Sequence, residues 1–180
     1  MPEKDKITLG SGKLYVAEYT GTVPEVATLC VEENRLGYIS GGATLEYKPT
    51  FYEAKDDLGY VSKVILTEEE ATLKCGVLTF NGKVLDKLCD SSIVKDESGK
   101  RTVKIGGLGN AKNKDYVVCF YHEDAKDGDI WVLIVGRNQS GFSLAFAKDK
   151  ETVIDAEFKA IPHDDDGTLI EYIEEIKTTS

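Results

Sequence analysis

Histidine is scarce in this sequence, and the groups that hydrolytic catalysis requires are not assembled. Only His122 and His163 occur among 180 residues, and no GxSxG motif offers a serine nucleophile. The adjacent glutamates of residues 68–70 point in different directions along a strand or turn, so they do not form a pair for acid and base catalysis. We therefore expect that the protein is not an enzyme.

The cysteines are also few and widely separated. None belongs to a CxxC pair, and nothing in the cysteine and histidine spacing asks for zinc. The acidic run at residues 163–167 lacks the alternating ligands and the distal glutamate of a calcium loop, which favours a solvated turn. We expect no metal site and no cofactor, and we interpret the cysteines as buried free thiols. They are Cys30, Cys75, Cys89 and Cys119.

Long hydrophobic runs are missing. The longest apolar stretches, residues 116–121 and 131–135, are far shorter than the roughly 20 residues of a membrane-spanning helix. Residues 1–9 are charged and contain no apolar segment, which argues against a cleaved signal peptide. The sequence therefore predicts no membrane span and synthesis in the cytoplasm.

The charge is mainly of one sign. A formal net charge of −10 opposes general binding to nucleic acid, because proteins that hold phosphates normally neutralise them with lysine or arginine. Two interpretations of the acidity remain open. It is either a solvated surface that aids solubility or a surface that repels a passing polyanion.

Patterns typical of β-strands are the most frequent in the sequence. The length suits one domain, residues 1–180, and turn signals separate short runs rich in β-branched and aromatic residues. Asn81 precedes Val84, Leu85 and Leu88 at helical spacing, which predicts one short helix over residues 81–89. The fold class is therefore all-β, a β-sandwich with one short flanking α-helix. The predicted strands are residues 13–19, 37–47, 60–67, 70–78, 101–105, 116–123, 130–137, 142–147, 152–161 and 168–176.

Three segments lack regular patterning and are predicted as loops: residues 20–36, 48–59 and 90–100. Pro49 is expected to interrupt the strand ladder, so that residues 48–59 form a long hairpin loop. Its mixture of aromatic and charged side chains suits a protein interface, although a mobile tip with incidental aromatics is the alternative. The interface candidates are Lys48, Phe51, Tyr52, Lys55, Asp56, Asp57 and Leu58.

Four short motifs, taken in order, resemble a known family. They are GSGKLYV at residues 10–16, LGYISGGA at 36–43, LKCGVLT at 73–79 with the helix that follows, and DGTLI at 166–170. In order and spacing the chain resembles, over nearly its whole length, the major tail protein, or tail tube protein, of long-tailed phages. The likeness is strongest to phages of Gram-positive hosts.

The resemblance implies an architectural role in the virion. Such subunits form hexameric rings that stack into a hollow tail tube, through which DNA passes during genome delivery without specific binding. The inner sheet would line the lumen. The hairpin of residues 48–59, the N-terminal segment and residues 90–100 would contact other subunits. The implied partners are further copies of the chain and the tape measure, tail tip and tail terminator proteins, with assembly in the host cytoplasm and no membrane contact.

Two alternatives remain at this stage. The first keeps the fold but places the subunit in a contractile tail, a phage-tail-like bacteriocin or a secretion-system tube. The second is a β-barrel that binds a small molecule in a cavity lined by tyrosine and phenylalanine.

Overall fold

Antiparallel β-strands make up most of the fold. A computed structural model of the chain describes residue 8 and residues 10–177. The all-β class predicted from the sequence is confirmed. The strands are β1 Lys13–Glu18, β2 Ile39–Lys55, β3 Ser62–Val77, β4 Ser92–Glu97, β5 Lys100–Ile105, β6 Tyr116–His122, β7 Ile130–Asn138, β8 Ile154–Ala160 and β9 Ile170–Glu174. The α-helices of the described residues are α1 Val26–Leu29 and α2 Gly82–Leu88.

Seven of the strands form one sheet, in which six follow the order β1-β6-β7-β8-β3-β2 and β9 pairs with β7. β7 is the point at which this sheet divides. Residues 130–134 of β7 pair with β9, whereas residues 136–138 pair with β8. One edge of β7 therefore serves two partners in succession, β9 and then β8.

The main core contains side chains from strands on both sides of this division. Phe158 of β8, Leu73 of β3, Leu14 of β1 and Ile134 of β7 are fully or almost fully buried in one cluster. A smaller cluster covers the other face of β6 and β7, where Leu29 of α1 packs with β-strand residues. The segment at residues 20–36, predicted as a loop, therefore contains a short helix that closes this face.

The predicted helix at residues 81–89 is confirmed as α2. The Asn81 side chain accepts hydrogen bonds from the backbone amides of Lys83 and Val84, at 2.9 and 3.2 Å. These amides have no partner within the helix, so asparagine is a suitable cap. Val84 and Leu88 face the core, as their spacing predicts.

The predicted loop at residues 90–100 is wrong. Residues 92–97 form β4, which pairs with β5 in a separate two-stranded sheet. Ser98 and Gly99 make the connecting turn with φ angles of 52° and 73°. A two-residue type I′ hairpin turn needs positive φ at both central positions. Serine at the first position made this turn difficult to recognise in the sequence.

Two further predictions are corrected. Pro49 does not interrupt β2, which continues to Lys55. β2 is an edge strand, where a residue without an amide proton is tolerated.

The predicted strand at residues 142–147 is absent, because Phe142 packs on the core from an irregular segment while Phe146 is 83% exposed. The proposed N-terminal contact segment falls mostly outside the described residues.

We predict that Asn81→Ala lowers the free energy of unfolding by about 1 kcal/mol, because two amides of α2 lose their acceptor. Urea denaturation followed by circular dichroism measures the change. Asn81→Asp is the matched control, since its carboxylate also caps a helix and should keep near-wild-type stability. Equal stability of all three proteins would contradict the role of this cap.

Candidate functional site

The most prominent surface feature is a projecting two-stranded ribbon, residues 47–70, which we call the arm. It consists of the outer halves of β2 and β3 and the turn that joins them. Every residue of the arm is exposed, whereas Ala71, Leu73, Cys75 and Val77 of the inner half of β3 are buried. At about 3.3 Å per residue, the arm extends about 30 Å beyond the domain.

The arm carries apolar side chains on both faces. Phe51 is paired with Leu66 on one face, and Tyr52 is paired with Ile65 on the other. Phe51 and Tyr52 are 58% and 60% exposed. Complete burial of one such side chain is worth about 1.5–3 kcal/mol, and an isolated two-stranded ribbon is marginally stable in water. The arm therefore has the composition of a surface that is covered by a partner.

The tip of the arm is an ordered turn. The Asp56 carboxylate accepts hydrogen bonds from the backbone amides of Val61 at 2.7 Å and Leu58 at 3.3 Å. Gly59 supplies the positive φ of +72° that the turn requires. Leu58 and Tyr60 are consequently held outwards, with exposures of 77% and 85%. The alternative of a mobile tip is not favoured by these contacts.

The arm is acidic. Residues 47–70 contain six carboxylates and three lysines, a formal charge of −3. The lysine at position 55 is paired with Glu53 at 3.3 Å, and the Tyr47 hydroxyl donates a hydrogen bond to Glu69. Glu68 and Asp57 form no ion pair among the described residues. The surface thus combines apolar side chains with unpaired negative charge.

The structure places the interface candidates together in this arm. Lys48, Phe51, Tyr52 and Lys55 lie in β2, and Asp56, Asp57 and Leu58 lie in its turn. The prediction that residues 48–59 form a loop is wrong, because the ribbon is paired as far as Lys55.

Sequence reasoning predicted a return strand at residues 60–67 but missed its exposure. Val64, Ile65 and Leu66 are about half exposed, with exposures of 56%, 47% and 46%. The β-branched residues of this run predict a strand but do not indicate whether it is exposed. Strand pairing could have indicated this exposure. A projecting strand with exposed aromatic side chains requires an equally exposed partner strand.

A second notable surface is the polar face of β2, β3 and β8. Lys74 is paired with Glu46 at 2.9 Å, and Lys159 is paired with Glu70 at 3.2 Å. A hydrogen bond from Lys74 holds the pKa of Glu46 below its ordinary value. The lysines of this face are therefore largely matched by carboxylates, which leaves little free positive charge.

A groove of about 360 Å³ lies beside this polar face. Its lining includes Ser40, Lys74, Asp155 and Glu157. A site for a small organic ligand is normally lined mainly by apolar and aromatic side chains. The composition of this groove does not match that pattern.

The cysteines and histidines lie apart from the arm. All four cysteines are free thiols, and burial raises the pKa of Cys75 to about 12. Such a group stays protonated at neutral pH and is a poor nucleophile. Cys30 and Cys119 are half-buried and buried respectively, with sulfur atoms 3.7 Å apart. The His163 Nε2 atom lies 3.0 Å from the Glu171 carboxylate.

The acidic run at residues 163–167 forms a turn. The Asp164 carboxylate accepts hydrogen bonds from the amides of Asp166 and Thr168, at 3.1 and 2.8 Å. Across the part of the chain that the structure describes, no group of three or more His, Cys, Asp or Glu side chains is arranged to hold a metal ion. Within the same part, no helix has both the length and the apolar character to cross a bilayer.

The chain was compared with known proteins. No protein-family model matches it, and no curated protein matches it.

We predict that Asp56→Ala lowers the hydrogen-exchange protection of the Val61 amide, because its acceptor is lost. The control is Asp57→Ala, since Asp57 accepts no hydrogen bond among the described residues. NMR exchange measurements on the monomer test both variants. Equal protection at Val61 in both would contradict this account of the turn.

The same contact has a predicted pH dependence. The hydrogen bond from the Val61 amide holds the pKa of Asp56 below its ordinary value. A carboxyl with a lowered folded-state pKa stabilises the turn above its unfolded-state pKa, and that contribution is lost as the pH falls through the folded-state value. Protection of Val61 in the wild-type chain should therefore fall in acid, whereas protection in Asp56→Ala should change less.

Proposed function

We propose that the chain is the major subunit of a phage tail tube, which forms stacked hexameric rings around a channel for DNA. The observation that carries the proposal is the arm. A monomer gains no burial from the exposed apolar side chains of a ribbon about 30 Å long. A subunit that places this ribbon against its neighbours gains burial at every copy.

The position of the arm supports repeated contacts between copies. The arm projects from one edge of the sheet, so its contact surface differs from the surface that receives it. Heterologous contacts of this kind close into rings or repeat as open filaments, depending on the rotation between subunits. A stacked tube requires both kinds of repetition. The order of the four sequence motifs supports the same function.

The polar face of β2, β3 and β8 is the proposed channel wall. Lys74 and Lys159 on this face are paired with carboxylates. Phosphate binding gains affinity from free cationic groups, so a matched surface of this kind favours passage of DNA without retention. The net negative charge of the whole chain also favours passage of DNA without retention. In this proposal the tube works with tape measure, tail tip and tail terminator proteins, in the virion.

Electron microscopy tests the proposed function directly. Purified chain is concentrated, negatively stained and imaged, and light scattering on the same sample gives the mass. Hollow tubes or six-fold rings are expected. A stable monomer that carries a co-purified small molecule would contradict the proposal and favour the ligand-binding β-barrel instead.

We predict that the double variant Phe51→Ser, Tyr52→Ser forms few or no tubes while its monomer keeps the wild-type circular dichroism. Both side chains are exposed, so their loss removes contact area between copies and leaves the core intact. Phe146→Ser is the matched control, because Phe146 is an exposed aromatic outside the arm. Sedimentation velocity gives the assembled fraction. Normal assembly of the arm variant would contradict a role for these aromatics.

A further inference from the structure

We propose that the arm of one copy binds the outward face of the β4–β5 hairpin of a second copy. This inference rests on the proposed function and adds the surface that receives the arm. It follows from the charge, exposure and pairing of two separate ribbons in the same chain.

The β4–β5 hairpin has one face turned towards α2 and one turned outwards. Val103 and Arg101 lie on the face that meets α2, close to Gly82, where an added Cβ would approach their side chains at 2.7–2.8 Å. The opposite face is exposed throughout its length. From the strand register, the outward face consists of Ile93, Lys95, Glu97, Lys100, Thr102 and Lys104.

The outward face of the hairpin is positively charged, with three lysines and one glutamate in a chain of net charge −10. Lys95 is paired with Glu97 at 2.7 Å. Lys100 and Lys104 form no ion pair among the described residues. The face therefore presents two unmatched cations.

The arm offers the opposite charge. Its formal charge is −3, and its carboxylates at Glu68 and Asp57 form no ion pair within the described part of the chain. Both ribbons also expose apolar side chains. Ile93 on the hairpin is 49% exposed, and Leu108, shortly after β5, is 98% exposed. An acidic apolar ribbon and a basic apolar ribbon are complementary surfaces.

The two ribbons do not satisfy each other within one chain. Among the described residues, no hydrogen bond or ion pair joins the arm to the hairpin. A second copy would supply the complement of each ribbon at the same concentration and in a repeating geometry. Burial of apolar side chains would provide most of the affinity. Exposed ion pairs are individually weak, and they would chiefly fix the register and orientation of the contact.

Charge reversal on either ribbon tests this contact. The arm variant carries Asp57→Lys and Glu68→Lys, and the hairpin variant carries Lys100→Glu and Lys104→Glu. Each replaces two attractions with two repulsions, so we expect the concentration needed for assembly to rise about tenfold. The control variant carries Lys148→Glu and Lys150→Glu, which makes the same charge change as the hairpin variant in an exposed loop. It should assemble at the wild-type concentration.

A mixture of the two reversed variants gives the decisive result. The basic arm of one variant matches the acidic hairpin of the other, and the acidic arm of the second matches the basic hairpin of the first. An equimolar mixture should therefore assemble at close to the wild-type concentration, although neither component does so alone. Sedimentation velocity measures the assembled mass, and circular dichroism of each variant verifies folding.

A second mixture excludes an effect of net charge alone. The arm variant mixed with the control variant has the same average charge as the first mixture but lacks the matched hairpin. It should not be rescued. If both mixtures behave alike, or if the reversed variants assemble as the wild type does, the proposed contact is overturned while the self-assembly of the chain stands. If the wild-type chain stays monomeric under every condition, the proposed function fails together with this contact.

Discussion

The structure depends on the pairing of β2 with β3, which extends from the core to Lys55 in the arm. The inner halves of these strands are fixed in the core, where Leu73 and Val77 are buried against β8. The outer halves continue the same ladder into solvent as the arm. Because a shift of one residue would turn the buried side chains outwards, the core fixes the register of the inner halves. Within the arm the register shifts by one residue between Thr50 and Phe51. The presentation of Phe51 and Tyr52 thus depends on the pairing beyond this shift, where they are opposite Leu66 and Ile65.

This arrangement exposes a sheet edge, and the chain protects part of it. The free side of β2 contains Lys48 and Pro49, a charge and a residue without an amide proton, both of which discourage uncontrolled strand addition. The apolar pairs of the arm lie further out, beyond this protected stretch. In the proposed assembly, this arrangement favours side-chain contacts at the arm over backbone pairing along the whole edge.

Much of the architecture could be predicted from the sequence, because local signals were strong where one face of an element is buried. Asn81 with Val84 and Leu88 predicts α2, and the apolar runs around Val118 and Ile134 predict the central strands. Local signals failed where a tertiary context decides the outcome. Residues 92–97 are polar because only one face of β4 meets α2, and residues 142–147 alternate like a strand but have no neighbouring strand to pair with.

The amino-acid composition identified the residues of the candidate site, but their conformation was predicted only in part. Phe51 and Tyr52 can be recognised from the sequence alone, because aromatic residues are unusual within a segment rich in charged residues. The contribution of Ile65 and Leu66 depends on which strand they pair with, a long-range property. The β4–β5 hairpin, which is the proposed receiving surface, was harder to predict. Its lysines form one face only after β4 and β5 are paired.

Hydrogen exchange of the wild-type chain, compared between dilute and concentrated samples, tests the central claim that the arm is an interface between copies. The account predicts that protection of residues 47–70 rises sharply as particles form, while protection of β6 and β7 in the core stays the same. Assembled particles in which the arm exchanges as freely as in the monomer would contradict it.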